Sequence, residues 1–229
     1  MNSDQLERVW DCIHIFAKTL IPTDPTYRDC FVCFFECLKD LIPDQRYQYY
    51  FSSFIESAPP QYYLVSADTA FEWTYKLRLS TILSERKRGN AVPIITLKQL
   101  QPKYEMITKD DWSQAVWFIL HFLSANLPQK PNEETLLNVK AFTVCIRYLL
   151  PCPKCKAHME VYLSEHSIDK AFGSGWDIFE WTCDYHEAVN SFDTARKHDK
   201  IDRKQVYSIF RVISDAPKPT NYEFIDSEF

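Results

Sequence analysis

Apolar positions recur at helical spacing through most of the chain, and strict strand-like alternation is rare. Over residues 4–20, Leu6, Val9, Trp10, Ile13, Phe16 and Ala17 fall on one face of a helix. Pro22 and Pro25 interrupt it, and further helices are expected over 27–41, 45–56 and 67–84. In the last of these Phe71, Tyr75, Leu79 and Ile82 share a side. Residues 89–103 carry Gly89-Asn90, Pro93 and Pro102 and read as a linker or an extended segment. Thr108 stands three residues before Asp111, a capping box that opens a helix running to about Asn126, before Pro128. Asn132 opens the next, which ends at Leu150 because Pro151 and Pro153 follow. Another starts within Cys152–Cys155 and runs to about Glu165, and 172–175 is a turn. Two more cover 176–192 and 202–213, and the tail from Pro217 reads as loose. No internal repeat is strong enough to name.

Composition sharpens this picture. Only three of the 229 residues are glycine. Rossmann and P-loop folds need glycine where the backbone takes positive φ or meets phosphate, so its scarcity favours an all-α fold. Hydrophobic residues make up 46% and aromatics 15%, enough for a packed core or a pocket for a flat ligand. The net charge is −5 and the only basic run, Arg86-Lys87-Arg88, is short, so nucleic acid is not the expected partner. The N-terminus lacks a signal-peptide layout, and no apolar run reaches the length of a membrane span. The expected location is therefore the cytoplasm. Eight cysteines are many for that compartment and point to redox chemistry or metal binding.

Three clusters carry the chemistry. Trp117 and His121 are four apart on one helical face, with Ala125 following. Pro151-Cys152-Pro153-Lys154-Cys155 sits at a helix start, where free backbone N–H groups and the helix dipole stabilise a thiolate. Two intervening residues allow a disulfide to close over one turn and cycle without moving the fold. In the third cluster, Trp181 to Asn190, His186 and Asn190 share a face. Zinc is the rival reading, because Cys152-x-x-Cys155 and Cys183-x-x-His186 have ligand types and spacing found in structural zinc sites. A helical interaction protein with no cofactor is a third.

The ordered set resembles the Erv/ALR family of FAD-linked sulfhydryl oxidases: Trp117…His121, then Tyr148…Pro151-Cys152-x-x-Cys155, then Trp181-x-Cys183-x-x-His186-x-x-Val189-Asn190. The likeness covers residues 108–213 or so. It implies a four-helix bundle with a short fifth helix in a domain at 105–229, preceded by a helical region at 1–104 without a flavin motif. It implies FAD as cofactor, with Trp117 and His121 against the flavin and adenine portions, His186 and Asn190 on the adenosine side and Val189 nearby. Lys197, or its neighbours Arg196 and Lys200, would meet the phosphates, and Tyr207 would close the adenine pocket. The implied reaction runs from a protein thiol through Cys152 and Cys155 to flavin and then to molecular oxygen, giving hydrogen peroxide. A homodimer is also implied.

The chain departs from the family pattern in two places. No cysteine follows Cys183, so Cys183 is expected to be free and to pack against the adenine. Ser113-Gln114 stands where a Gly-Arg pair often precedes the first Trp, so phosphate contact must come from elsewhere. Cys30-x-x-Cys33 has the spacing of a shuttle pair but lies in an apolar segment, and burial is the expectation. The first half could be a degenerate second copy of the catalytic half, as in quiescin-type oxidases. The layout is also similar to the oxidases of baculoviruses and related large DNA viruses, which would place the protein in the host cytoplasm or nucleus and in the virion.

Overall fold

The computed structural model describes residues 1–192 and 200–212. Among them the fold is all-α, without a strand. Helices α1 (Ser3–Lys18), α2 (Pro25–Leu41), α3 (Gln45–Ser57) and α4 (Ala67–Lys87) form the first half. The short α5 (Leu97–Leu100) leads to α6 (Lys109–Ala125), α7 (Glu133–Leu149), α8 (Pro153–Glu165), α9 (Gly175–Asn190) and α10 (Arg203–Phe210).

The local signals work as the sequence implies. Thr108 and Asp111 exchange capping hydrogen bonds at the start of α6. The Asn132 side chain accepts from the Thr135 amide at the start of α7. Gly89, at φ 88, takes the left-handed conformation that ends α4. Gly175 is required for a different reason: a Cβ there would lie 2.5 Å from the Pro128 carbonyl oxygen. The start of α9 thereby docks on the segment that follows α6.

The two halves repeat each other. Helices α2 and α7 each have 17 residues, and α3 and α8 each have 13. A four-residue 3-10 turn follows α3 at Pro60–Tyr63, and another follows α8 at Ile168–Ala171. Trp10 stacks near His14 at 6.0 Å and 25°, and Trp117 near His121 at 6.1 Å and 22°. His14 Nδ1 lies 2.9 Å from Thr74 Oγ1, and His121 Nδ1 lies 3.1 Å from Thr182 Oγ1. Trp73 Nε1 donates to the Ala58 carbonyl as Trp181 Nε1 donates to that of His166. Sequence periodicity misses this repeat because it is carried by a few buried side chains at wide separation.

The repeats pack through equivalent helices, α1 on α6 and α2 on α7, over one continuous core. Phe34 and Phe142, which occupy matching places in α2 and α7, stack on each other at 5.2 Å and 28°. That is the contact expected where a pseudo-two-fold axis crosses an interface. Each half also closes on itself, α1 against α4 and α6 against α9.

The region at 89–103 is not a simple linker. Thr96 and Gln99 cap α5, and a 3-10 turn at Gln101–Tyr104 drives the Tyr104 ring into the first half. There it lies 5.2 Å from His14 and hydrogen-bonds Asp11. With Arg78 over the Trp10 ring and Phe51 at 5.4 Å from it, Tyr104 fills the space around the first-half Trp/His pair.

Candidate functional site

Cys152 is the N-cap of α8, with Pro153 at the first helical position supplying a preset φ and no surplus N–H. Its Sγ accepts the Cys155 backbone N–H at 3.2 Å and is bonded to Cys155 Sγ, with Cα atoms 5.2 Å apart. A helix-end amide aimed at sulfur favours the anion that reduction of the bond releases. Both cysteines are half-buried and face a cleft of ≈ 420 Å³, within the range of small-molecule sites.

The cleft is bordered by α6, α8 and α9. Of the residues singled out in the sequence, Cys152, Cys155, Trp117, Val189 and Asn190 line it. Trp112, Ser113, Val116, Leu150, Lys154, His158, Tyr185 and Phe192 line it as well, with Lys109 and Asp110 at the start of α6. Helical spacing could have found several of these. Lys109, Ser113 and Trp117 are successive four-residue steps on α6, His158 is one turn beyond Cys155, and Tyr185 precedes Val189 by four. His158 and Phe192 stack at 4.1 Å and 19° beside the cysteines, leaving Phe192 60% exposed.

Behind the lining stands a second layer. The His186 ring lies parallel on Trp117, 3.9 Å between centroids and 6° apart. Its Nδ1 is 3.0 Å from His121 Nε2. Thr182 Oγ1 donates to the Phe179 carbonyl, so it must accept from His121 Nδ1–H. His121 Nε2 is then an acceptor, and His186 Nδ1–H donates to it. Burial, aided by the nearby His186, pushes the His121 pKa down to about 3 and keeps this ring neutral. The network fixes the tilt of Trp117, the aromatic wall of the cleft.

Other singled-out residues lie elsewhere. Cys183 is free and wholly buried against Ala125 and Phe179, with its Sγ 4.0 Å from His121 Nδ1. Burial raises its pKa to about 12, so it is not a ready thiolate. Tyr207 packs on Trp176 at 4.9 Å and Phe179 at 5.1 Å, on the side of α9 where Cys183 is buried. Lys200 pairs with Glu187 at 3.1 Å and tethers the approach to α10. Arg196 and Lys197 lie outside the described residues. The four residues of the zinc alternative do not converge: the first two are bonded to each other, Cys183 is sequestered, and His186 is engaged with Trp117 and His121. Among the described residues no group of three or more His, Cys, Asp or Glu side chains could hold a metal ion, and no helix is long and apolar enough to cross a membrane.

Residues 114–208 match the Erv1 / Alr family. An FAD-linked sulfhydryl oxidase of Arabidopsis thaliana is 31% identical over 84 residues, 37% of this chain and 43% of its own. A probable FAD-linked sulfhydryl oxidase of Acanthamoeba polyphaga mimivirus is 29% identical over 87 residues, 38% of this chain and 61% of its own. A third similar protein, from Invertebrate iridescent virus 3, is named a putative FAD-linked sulfhydryl oxidase; it is 26% identical over 105 residues, 46% of this chain and 69% of its own. The chain thus spans about half the length of the first two relatives. No solved structure matches it.

Proposed function

We propose, from the match of residues 114–208 to the Erv1 / Alr family, that the protein is an FAD-dependent thiol oxidase that makes disulfides in protein substrates. The observation that carries the reading is a helix-capping disulfide opening into an aromatic-walled cleft. Trp112, Trp117 and Tyr185 offer flat apolar surface suited to a ring system, and Lys109 and Lys154 offer cations at the rim for phosphates. These fit FAD. Trp117 and Val189 would hold its rings and Asn190 its polar edges, while His121 and His186 act through Trp117. Flavin, when bound, accepts the electron pair and passes it to molecular oxygen, yielding hydrogen peroxide.

The protein's own part is thiol–disulfide exchange. A substrate thiolate attacks Cys152 Sγ and the bond to Cys155 breaks, leaving Cys155 as thiolate. The second substrate thiol then attacks the mixed disulfide and leaves with a new disulfide. Cys152 and Cys155 are left reduced by two electrons, ready to be reoxidised. The hydrogen bond that the Cys155 backbone N–H donates to Cys152 Sγ and the N-terminal dipole of α8 stabilise the Cys152 thiolate that the second attack releases.

The first half, at 1–104, has its own Trp/His pair but no cysteine pair at the start of α3, where Asp44 and Tyr47 stand in the places of Cys152 and Cys155. We therefore read it as a degenerate copy that braces α6 and α7. A homodimer in the cytoplasm is part of the proposal. Since α1 and α2 already cover α6 and α7, its interface would use other surfaces. The purified protein should be yellow, absorbing at about 450 nm as oxidised flavin does. It should consume oxygen with dithiothreitol, and Cys155→Ser should keep the flavin and lose turnover. A colourless protein, or an active Cys155→Ser variant, overturns the reading.

A further inference from the structure

Four thiols that the proposed oxidase does not use meet where α2 crosses α7. Tyr27 on α2 meets Leu149 on α7 and Phe34 meets Phe142, a register that sets Cys30 and Cys33 opposite Cys145. Cys33 Sγ is in turn 3.9 Å from Cys37 Sγ. The crossing is held from both sides of the thiols, by the Phe34–Phe142 stack and by Tyr27 Oη donating to the Leu149 carbonyl at 3.0 Å. Cys145 is buried at 3% exposure, while Cys30 is only half-buried and reachable from outside.

We propose that Cys30 and Cys145 are a disulfide site that staples the two halves together, and that a Cys152–Cys155 pair of another copy is the oxidant. The oxidant's identity rests on the thiol-oxidase reading. The Cys30 thiolate attacks Cys152 Sγ of the second copy, breaking its bond to Cys155. Cys145 then attacks Cys30 Sγ, and Cys152 leaves as thiolate. Two thiols are oxidised, one disulfide is reduced, and two protons are released to solvent or taken up by the departing thiolates. Cys30 is the member suited to attack first. The facing Cys145 draws its pKa below the ordinary value, and Arg147 nearby acts in the same direction. Interaction with Cys30 and burial push the Cys145 thiol well above its ordinary value, so it enters only in the second, intramolecular step. Because the staple joins α2 to α7, it braces the helix whose end leads into Cys152.

The test uses the full-length FAD-loaded protein purified in air without reductant. Free thiols are blocked with N-ethylmaleimide under denaturing conditions, and the protein is digested with trypsin. The peptides Asp29–Lys39 and Ala141–Arg147 should appear linked through Cys30, lighter by two hydrogens than their sum. The link should vanish in Cys30→Ser, and Cys155→Ser should accumulate it at least tenfold more slowly. Thermal midpoint should fall by several degrees on treatment with a phosphine reductant, and this fall should be absent in Cys145→Ala. Oxygen uptake with dithiothreitol is measured on the same preparation. An active oxidase with Cys145 fully alkylated, or linked only to Cys33, overturns the staple and leaves the functional reading intact. A preparation without flavin or oxygen uptake overturns the functional reading, and with it the oxidant named here.

Discussion

Replacing Thr182 by Val removes the oxygen acceptor of His121 Nδ1–H and leaves only the weak Cys183 sulfur at 4.0 Å, and the twin change Thr74→Val removes the acceptor of His14 in the first half. Both histidines are buried, at 4% and 0% exposure, so water cannot replace the lost partner. An orphaned buried donor costs about 1–3 kcal/mol, while the isosteric methyl adds little cavity. Thr182 also donates to the Phe179 carbonyl and Thr74 to that of Phe71, which adds the same small loss to both. Urea denaturation should therefore show two similar destabilisations. They should add within about 0.5 kcal/mol in the double variant, because the two sites share no partner. The functional outcomes should differ. Thr182 reaches the cleft through His121, His186 and Trp117, so Thr182→Val should release FAD several-fold faster and shift the flavin circular dichroism. Thr74→Val should leave both unchanged. Thr182→Ser keeps the oxygen and should restore FAD retention. Equal flavin loss in both variants, or no destabilisation in either, would refute the proposed relay and the division of labour between the halves.

Three further outcomes follow from the same contacts. His121 is held near 3 against an ordinary 6.5, and burial lowers His14 in the same direction. The unfolded chain thus binds more protons through that window, so stability is complete above about pH 6.5 and is lost as pH falls. His121 should contribute about 2–3 kcal/mol of loss by pH 4.5, with His14 adding in the same direction, and His121→Asn should flatten the slope of urea-unfolding free energy against pH. Phe34→Ala removes one ring of the stack between α2 and α7 and should cost about 3–5 kcal/mol in the same assay, with the loss of a single cooperative transition as a further mark. Asn126 donates to the Phe122 and Phe210 carbonyls and accepts the Val212 amide, so it pins α10 to the end of α6. Asn126→Ala should raise amide exchange of α10 at least tenfold while α6 to α9 stay protected.

Helix identity, helix ends and the helix-capping cysteine pair were legible in the residues alone, because they depend on local physics. Capping at Thr108 and Asn132, the prolines at 151 and 153, and a sulfur at a helix N-terminus are determined within a turn of chain. Which residues share the cleft was legible only in part. Trp117 and the cysteine pair announce themselves, but Trp112, His158 and Phe192 join them through the crossing of α6, α8 and α9. The same crossing places Cys183 and Tyr207 on the far side of α9, although Cys183 lies only three residues from His186. The repeat of the two halves belongs wholly to the tertiary structure. Periodicity reports which face of a helix is apolar, and both halves satisfy it with different side chains. Only packing reveals that Trp10, His14 and Thr74 occupy the places of Trp117, His121 and Thr182, and that Tyr104 packs beside His14 where Phe210 packs beside His121.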